Sequence, residues 1–357
     1  MELALYCPDT GFYEKDDDTI GRRGDFYTSV SVGSVFGELL AFQFADWLVQ
    51  FPIEPAPPPL NGIAPPAAGA DKYLIIEAGA HRGQLAMDVL TWLRARRPEL
   101  FAQVQYWIIE PSTRRRQWQS ATLAEFSPHL RWADSLVAIG LAKASLTGVI
   151  FANELLDALP VHRLGWDAQR QGWFEWGVAW KDGDYSWVRL PLAQASLRIA
   201  PGVSPELLNV LPDGFTTELC PLAAQWWSDA ARVLKRGKLL TFDYGLEGEE
   251  CFAPHRAQGT LRAYRNHQQT DKVLADPGRQ DITAHVNFSM IRSAGEAAGL
   301  RTESFRTQAQ FLTEIAEKFW KAPGLNVSWT ARQSREFQTL IHPQHLGRAF
   351  RVLLQAR

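Results

Sequence analysis

Two glycines and an acid that follow a short apolar run are the residues best suited to chemistry. The apolar residues 73–76 lead into Glu77, Gly79 and Gly83, and a helical pattern of apolar residues follows. Glycines let a backbone turn sharply and approach a ligand closely, and the N-terminus of the next helix offers free N–H groups. The pattern therefore predicts a strand, a nucleotide-binding turn and a helix of a Rossmann-like sheet.

Two more acids follow the next apolar runs. Glu110 ends the run 105–109, and its distance of about 30 residues from the glycine turn suits a carboxylate that binds the ribose hydroxyl pair of a nucleotide. The alternative is that Glu110 only caps the helix that follows it. Asp134 follows a third possible strand at residues 130–132. A side chain at that place can reach the adenine edge.

Polar side chains also follow the fourth and fifth apolar runs. Asn153, Glu154 and Asp157 come after residues 147–152, and Asp243 comes after residues 238–242. Ligands of open α/β sheets bind outside the carboxyl ends of the strands, so these side chains lie where chemistry would occur. Polar residues after a strand are also common helix caps, and that alternative stays open.

Segments rich in glycine and polar residues could cover a ligand. Near the N-terminus, Asp25, Thr28 and Ser29 stand beside aromatic residues, which predicts either a lid over a purine or a solvated loop. The long polar segment 259–288 contains His285, and long loops in compact domains are usually functional. The histidines have no metal-ligand spacing, so no metal site is predicted.

An N-terminal helix and a β insertion complete the predicted scaffold. Apolar residues recur at helical spacing over residues 32–49, which predicts a helix packed on the sheet. Residues 51–71 are rich in proline, alanine and glycine and predict a surface loop. Residues 161–215 contain alternating, aromatic-rich runs around a turn at 181–184, which predicts an antiparallel insertion. Its tryptophans either pack internally or form a platform for a peptide substrate.

Composition narrows the class of protein. The chain has 357 residues, 46% hydrophobic and 21% charged, which suits one large α/β domain with insertions or two domains. A net charge of -2 gives no electrostatic reason to expect a nucleic-acid partner. The cysteines are widely spaced, no apolar run is long enough to cross a membrane, and the N-terminus carries no targeting pattern. The expected location is therefore the cytoplasm of a bacterium.

Several stretches together resemble the MidA family of S-adenosyl-L-methionine-dependent methyltransferases. They cover nearly the whole chain in order and are, from the N-terminus, ALYCPDTGFY, GDFYTS with FGELL, IIEAGAHRGQL, ANELLDALPV, LTFDYG, GTLRAYRNH, DITAHVNF and HPQHLGRAFRVLL. Mitochondrial members of this family methylate an arginine of a respiratory complex I subunit. The glycine turn alone would be a weak signal, whereas the ordered set is specific.

The resemblance implies a class I methyltransferase fold, with a mostly parallel seven-stranded sheet whose last strand is antiparallel. The implied organisation is an N-terminal lid and helix at 1–50, the Pro-rich loop at 51–71, and a methyltransferase domain at 72–357. That domain would carry the β insertion at about 161–215 and a cap loop at about 245–287. The cofactor would be S-adenosyl-L-methionine, and the expected partner is a protein substrate such as a respiratory-complex subunit, with a homodimer left open.

The resemblance also implies roles for single residues. Gly79 and Gly83 would approach the methionine part of the cofactor, Glu110 would hold the ribose, and the GDFYTS segment, which includes Gly24, would fold over the cofactor. Glu154 would bind the substrate guanidinium, as in protein arginine methyltransferases. We further expect Asp157 or Asp243 to assist Glu154 and His285 to accept a proton.

One departure from the family pattern affects the cofactor turn. The usual turn resembles E-x-G-P-G-R-G, whereas this chain has Ala80 in place of the proline and His81 in place of the middle glycine. A side chain at that position could crowd the cofactor. An alternative is therefore a catalytically weak or inactive methyltransferase-fold assembly factor. A dinucleotide-dependent oxidoreductase would also fit a glycine turn followed by an acid, but it gives no place to ANELLDALP and DITAHVNF.

Overall fold

The structure of the protein is a computed structural model that describes residues 1–15, 28–51, 72–139, 144–192, 203–265, 268–325 and 328–357. The predictions made for Gly24, Asp25 and the Pro-rich residues 52–71 lie outside the described residues. The chain divides into two compact units, each built from several segments. The predicted domain boundaries stay predictions.

The described chain alternates strands with helices. The strands are β1 (Tyr73–Ala78), β2 (Val104–Ile109), β3 (Leu130–Ala133), β4 (Leu146–Asn153), β5 (His162–Asp167), β6 (Gly172–Lys181), β7 (Asp184–Leu190), β8 (Thr216–Leu219), β9 (Leu234–Leu246), β10 (Arg262–Arg265), β11 (Gln268–Thr270), β12 (Asp281–Thr283), β13 (Val286–Asn287), β14 (Arg301–Thr307) and β15 (Phe350–Ala356). The α-helices are α1 (Glu2–Tyr6), α2 (Ser29–Val32), α3 (Val35–Leu48), α4 (Gln84–Arg96), α5 (Pro98–Gln103), α6 (Thr113–Thr122), α7 (Pro205–Val210), α8 (Pro221–Val233), α9 (Phe288–Ala297), α10 (Gln308–Lys321), α11 (Ala331–Ile341) and α12 (Leu346–Ala349).

The larger unit, made of Tyr27–Leu155, Trp227–Asp243 and Arg292–Arg357, contains the main sheet. Its strand order is β14-β15-β9-β4-β1-β2-β3. Strands β1, β2, β3, β4 and β9 pair in parallel, whereas β14 and β15 are antiparallel. The predicted mostly parallel fold is confirmed, and β13 adds an eighth strand to the seven predicted, because it pairs in parallel with the end of β9. Because the chain runs outward from β1 to β3 and then restarts at β4, the switch point lies between β1 and β4, where such sheets bind ligands.

Aromatic packing holds helix α3 against the strands that form this switch point. Nearly every side chain of α3 is buried, as the predicted helix at 32–49 requires. Phe36 meets Phe242 of β9 at a ring distance of 5.2 Å, and Phe44 meets Phe151 of β4 at 5.1 Å. Burying aromatic side chains of this size stabilises a fold by about 2–3 kcal/mol each, so α3 fixes the strand ends rigidly.

The smaller unit, made of Met1–Phe26, Leu156–Trp226 and Tyr244–Ile291, is mostly antiparallel. One sheet has the order β7-β6-β5-β8, and the pairing of Lys181 with Asp184 confirms the predicted hairpin. A second sheet, β11-β10-β12, lies within the segment predicted as a cap loop. Its strands are too short to show a periodic pattern, and apolar residues from the N-terminus, Leu5 and Phe12, help to bury them.

The aromatic residues of the β insertion fall into two groups. Trp166 is buried and meets Trp173 at a ring distance of 5.1 Å, which fits the packing alternative. Trp180 and Tyr185 lie at the hairpin end, 63% and 40% exposed, with ring centroids 4.6 Å apart. A peptide platform at this exposed pair stays a prediction.

The described ranges contain neither a membrane-spanning helix nor a cluster of metal-ligating side chains. None of the described helices has the length and apolar character that crossing a bilayer requires. No group of three or more histidine, cysteine, aspartate or glutamate side chains within those ranges is arranged to hold a metal ion.

Candidate active site

The glycine turn connects β1 to α4 at the switch point of the main sheet. Gly79 and Gly83 have φ angles of +75° and +85°, in the left-handed region that favours glycine. A Cβ at Gly79 would lie 2.9 Å from the Leu155 Cδ1, so packing also requires a glycine there. Gly83 is the N-cap of α4, and among the described residues no side chain caps that helix. Its first amides can therefore receive a ligand carboxylate.

His81 occupies the middle of this turn in a left-handed conformation, with φ at +46°. Its carbonyl oxygen accepts a hydrogen bond of 3.0 Å from the Gln119 Nε2. Desolvation lowers the pKa of His81 to about 4, and the charges of Arg82 and Arg115 lower it further, so the ring is neutral at pH 7. The turn therefore accommodates the histidine at the expense of backbone strain of about 1 kcal/mol.

Glu77 lies at the end of β1 and is only 2% exposed. The hydroxyl of Tyr106, on the adjacent strand β2, donates a 2.7 Å hydrogen bond to the Glu77 Oε2. Burial raises the pKa of Glu77 to about 7, although the Tyr106 hydrogen bond opposes that shift. At neutral pH this carboxyl is balanced between its two charge states, so a cationic ligand nearby would favour the ionised one.

The raised pKa of Glu77 predicts how stability depends on pH. Between its ordinary value of 4.5 and about 7, the folded protein holds a proton that the unfolded chain has lost. Stability therefore falls as pH rises through this interval, by up to about 3 kcal/mol. Chemical denaturation at pH 5 and pH 8 should show that Glu77→Gln removes this fall. A stability difference between wild type and variant that is equal at both pH values would contradict the prediction.

Glu110 directly follows β2 and is buried in a network of protein donors. Its Oε1 accepts hydrogen bonds from the Ser112 backbone N–H at 3.0 Å and from the Arg115 guanidinium at 2.9 Å. Its Oε2 accepts one from Gln119 at 3.2 Å. Two donors occupy both lone pairs of Oε1, whereas Oε2 has accepted only one hydrogen bond, so a ribose hydroxyl can still bind at Oε2. Helix α6 is capped by the Ser112 hydroxyl, which accepts from the Arg115 N–H at 3.2 Å, so the contact of Glu110 with the Ser112 N–H lies before the helix and does not cap it.

Asp134 follows β3 and lies near Glu110 because their strands are adjacent. The Glu110 N–H donates to the Ala133 carbonyl oxygen at 2.9 Å. Arg116 joins the two acids: its Nε donates to the Glu110 carbonyl at 2.5 Å, and its terminal nitrogen pairs with the Asp134 carboxylate. The Asp134 side chain is 71% exposed, so it is open to an adenine ring.

Glu154 directly follows β4 and has a φ of +53°, which is strained for a residue with a side chain. Its Oε1 accepts a 3.2 Å hydrogen bond from the Ser29 N–H and another of 3.2 Å from the Asn153 Nδ2. The Asn153 Oδ1 is buried and has no hydrogen-bond partner among the described residues. A buried acceptor of this kind is costly unless a ligand or water supplies a donor.

Thr28 and Ser29 contact the protein at the start of α2. Thr28 forms a capping box with Ser31, and the Ser29 hydroxyl donates to the Gln308 Oε1 at 3.0 Å. Asp243 lies in β9 of the same unit and is fully buried, so it can assist the reaction only through a neighbouring group. These positions stay predicted site residues, and their cofactor contacts stay proposals.

Asp157 and His285 belong to the smaller unit, where they are close in space. The Asp157 carbonyl accepts a 2.9 Å hydrogen bond from the N–H of Ala284, the residue before His285. The His285 N–H donates to the Thr260 hydroxyl at 3.1 Å. Desolvation, with help from Arg256 and Arg262, lowers the pKa of His285 to about 4. Because His285 is exposed, water weakens the desolvation, and we expect a smaller shift in the same direction.

Sequence patterns did not reveal the residues that connect these groups. Gln119 is fully buried and bonds His81, Glu110 and Trp132, the last at 2.9 Å between the indole Nε1 and the Gln119 Oε1. It lies in helix α6, whose polar sequence predicts a solvent-exposed helix. The role of Tyr106 could have been predicted from the sequence, because a tyrosine hydroxyl that is buried within an apolar strand needs a hydrogen-bond partner.

These residues fit the cofactor that the sequence predicts. Four features lie at or beside the carboxyl ends of β1, β2 and β4: left-handed glycines, an acid after β2, and, as far as the described residues go, an uncapped helix N-terminus and an unpartnered Asn153 oxygen. The methionine carboxylate suits the helix N-terminus, the ribose suits Glu110, and an amino group suits the Asn153 oxygen.

The chain is similar to proteins of known class over most of its length. Residues 65–306 match the family described as "Putative S-adenosyl-L-methionine-dependent methyltransferase". The mitochondrial protein arginine methyltransferase NDUFAF7 of Rattus norvegicus is 28% identical, over 98% of this chain and 78% of that protein. The protein of the same name from Mus musculus is also 28% identical, over 86% of this chain and 68% of its own length.

A solved structure agrees with these matches. A Burkholderia thailandensis protein crystallised with S-adenosyl-homocysteine is 29% identical to the chain and superposes with a TM-score of 0.77. The alignment covers 100% of this chain and 86% of that protein. S-adenosyl-homocysteine is the product that S-adenosylmethionine leaves after methyl transfer.

Proposed function

Because the chain belongs to this family of S-adenosyl-L-methionine-dependent methyltransferases, we propose that it methylates an arginine side chain of a protein substrate. The relatives named above support a protein arginine target. A respiratory-complex subunit is the first candidate substrate, since the MidA resemblance implies one.

The observation that carries the proposal is the strained conformation of Glu154. A non-glycine residue with φ at +53° raises the free energy of the folded state by about 1–3 kcal/mol. Such strain persists at sites where it holds a functional group in place. Here it presents a carboxylate at the carboxyl end of β4, beside the switch point of the sheet.

A carboxylate is the group that arginine methylation requires. The bound cofactor supplies an electrophilic methyl group on a sulfonium. A guanidinium nitrogen is a poor nucleophile because its lone pair is delocalised over the group. Glu154 would pair with two guanidinium N–H groups, fix the plane of the group and concentrate charge away from the attacking nitrogen. Holding the nitrogen in line with the methyl group lowers the barrier by several kcal/mol, or about 7 or more in the best cases.

The transfer forms one N–C bond, breaks one S–C bond and releases one proton. We propose His285 as the proton acceptor because a neutral ring nitrogen can take up a proton, although its lowered pKa makes it a weaker base than an ordinary histidine. Asp157 and Asp243 are expected to assist Glu154 by electrostatics, since each is buried and acidic. These roles remain part of the proposal.

The test is transfer of an isotopically labelled methyl group. Purified protein is incubated with CD3-labelled S-adenosylmethionine and a lysate of its host, and labelled peptides are mapped by mass spectrometry. We expect label on arginine, absent when Glu154→Gln replaces the wild type. Label on lysine, on a carboxyl group or on small molecules alone would refute the arginine target.

The inactive-factor alternative predicts no transfer, and the strained turn at His81 is its main support. We expect His81→Gly to keep the fold and to tighten S-adenosylmethionine binding about threefold to tenfold, since it removes left-handed strain and a side chain beside the cofactor. Isothermal calorimetry measures the affinity. Unchanged or weaker binding would mean that the turn, held by Gln119 at the His81 carbonyl, has adapted to the histidine.

A further inference from the structure

A buried backbone amide holds one oxygen of the Glu154 carboxylate. The Ser29 N–H donates to the Glu154 Oε1 at 3.2 Å, and Ser29 is fully buried. Hydrogen bonds to a charged acceptor are about twice as strong as neutral ones, and shielding from water strengthens them further. The Asn153 Nδ2 donates to the same oxygen at 3.2 Å. Two donors therefore converge on one carboxylate oxygen.

The position of Ser29 is itself fixed from two sides. In the capping box that starts α2, the Ser31 N–H donates to the Thr28 hydroxyl at 3.1 Å, and the Thr28 N–H donates to the Ser31 hydroxyl at 3.0 Å. The Ser29 hydroxyl donates to the Gln308 Oε1 at 3.0 Å, and the Gln308 Nε2 donates to the Leu340 carbonyl at 2.9 Å. Gln308 is fully buried, so this anchor is shielded from water.

We propose that Ser29 acts on the reaction through Glu154, as a positioning residue whose N–H holds the carboxylate in the orientation that pairs with the substrate guanidinium. Gln308 and the Thr28 capping box keep that N–H in place. The inference rests on the role proposed for Glu154. The cofactor contact expected of Ser29 stays a separate prediction.

Two substitutions distinguish the contribution of the Ser29 N–H from that of the Ser29 hydroxyl. Ser29→Pro removes the N–H, and proline is favoured here because Ser29 is the first residue of α2. Thr28 has φ −109° and ψ 162°, a conformation that the residue before a proline prefers. Ser29→Ala keeps the N–H and removes only the hydroxyl. Ala331→Pro is the matched control, since Ala331 is also the first residue of a helix that follows a capping-box threonine.

We expect Ser29→Pro to lower kcat for arginine methylation about 10- to 100-fold, because a donor to a charged group is lost. The acid limb of its pH–rate profile should move to higher pH, since a carboxylate that has lost a donor is protonated more easily. Its S-adenosylmethionine affinity by calorimetry should stay within about threefold, as should kcat for Ala331→Pro. Ser29→Ala loses the Gln308 anchor but keeps the N–H, so it should lower kcat less than Ser29→Pro does. A Ser29→Pro variant with wild-type kcat, or with lost cofactor binding, would overturn the proposal.

The contact is also tested without a methyl acceptor. In protein labelled with 15N-serine, Glu154→Gln should move the Ser29 amide resonance, whereas Glu125→Gln, on an exposed side chain that pairs with Arg94, should not. An unmoved Ser29 resonance overturns the inference even if Ser29→Pro fails to fold. If the wild type methylates no arginine, the proposed function has failed, and the resonance alone decides the Ser29 contact.

Discussion

Replacing Glu154 with glutamine is expected to lower the rate of methyl transfer by roughly 100-fold or more and to leave S-adenosylmethionine affinity nearly unchanged. The neutral amide keeps the size of the side chain and can still accept from Ser29 and Asn153. It cannot pair with a guanidinium as a charged bidentate acceptor. The measurement is kcat by mass spectrometry, together with the dissociation constant of the cofactor by calorimetry.

Two further variants complete this experiment. Glu125→Gln makes the same chemical change on the surface of the larger unit and should retain full activity. Glu154→Gly should be inactive yet unfold at a higher temperature if the strain of about 1 kcal/mol or more exceeds the lost contacts. Full methyl transfer by Glu154→Gln, with cofactor binding intact, would remove Glu154 from the mechanism.

The second large effect is expected for Glu110→Gln. The Arg115 side chain is only 10% exposed and would lose its charged partner at 2.9 Å. Breaking a buried ion pair on one side lowers the free energy of unfolding by about 3 kcal/mol, and a glutamine that still accepts from Arg115 should soften that loss. Cofactor affinity should fall about 10- to 100-fold, because a hydrogen bond from the ribose to a charged oxygen is lost.

The two readouts decide between the interpretations of Glu110. Denaturant unfolding measures its structural part, and calorimetry measures its cofactor part at a temperature where the variant stays folded. A loss of stability with unchanged S-adenosylmethionine affinity would leave Glu110 as the partner of Arg115 and Ser112 alone. Glu125→Gln again serves as the control, because both members of its ion pair with Arg94 are about half exposed, and such pairs contribute about 0–1 kcal/mol.

Local patterns of the sequence were sufficient for the main sheet and its glycine turn. The apolar runs before Glu77, Glu110 and Glu154 correspond to β1, β2 and β4, and each acid lies at or directly after its strand. Strand, turn and helix depend on residues that are close in sequence, so their spacing carries the information. The sequence patterns did not predict the short strands β10 to β12, because residues far away in the sequence help to bury them.

The contacts that make these acids chemically distinct were decided only by the tertiary structure. Ser29 and Glu154 are 125 positions apart, and Tyr106 lies 29 positions from Glu77. Such pairs form because the packing of α3 and the register of adjacent strands bring them together, and no local pattern encodes them. The pKa of Glu77 follows from burial for the same reason. The sequence alone thus determined which residues could act, whereas the fold decided which partners hold and charge them.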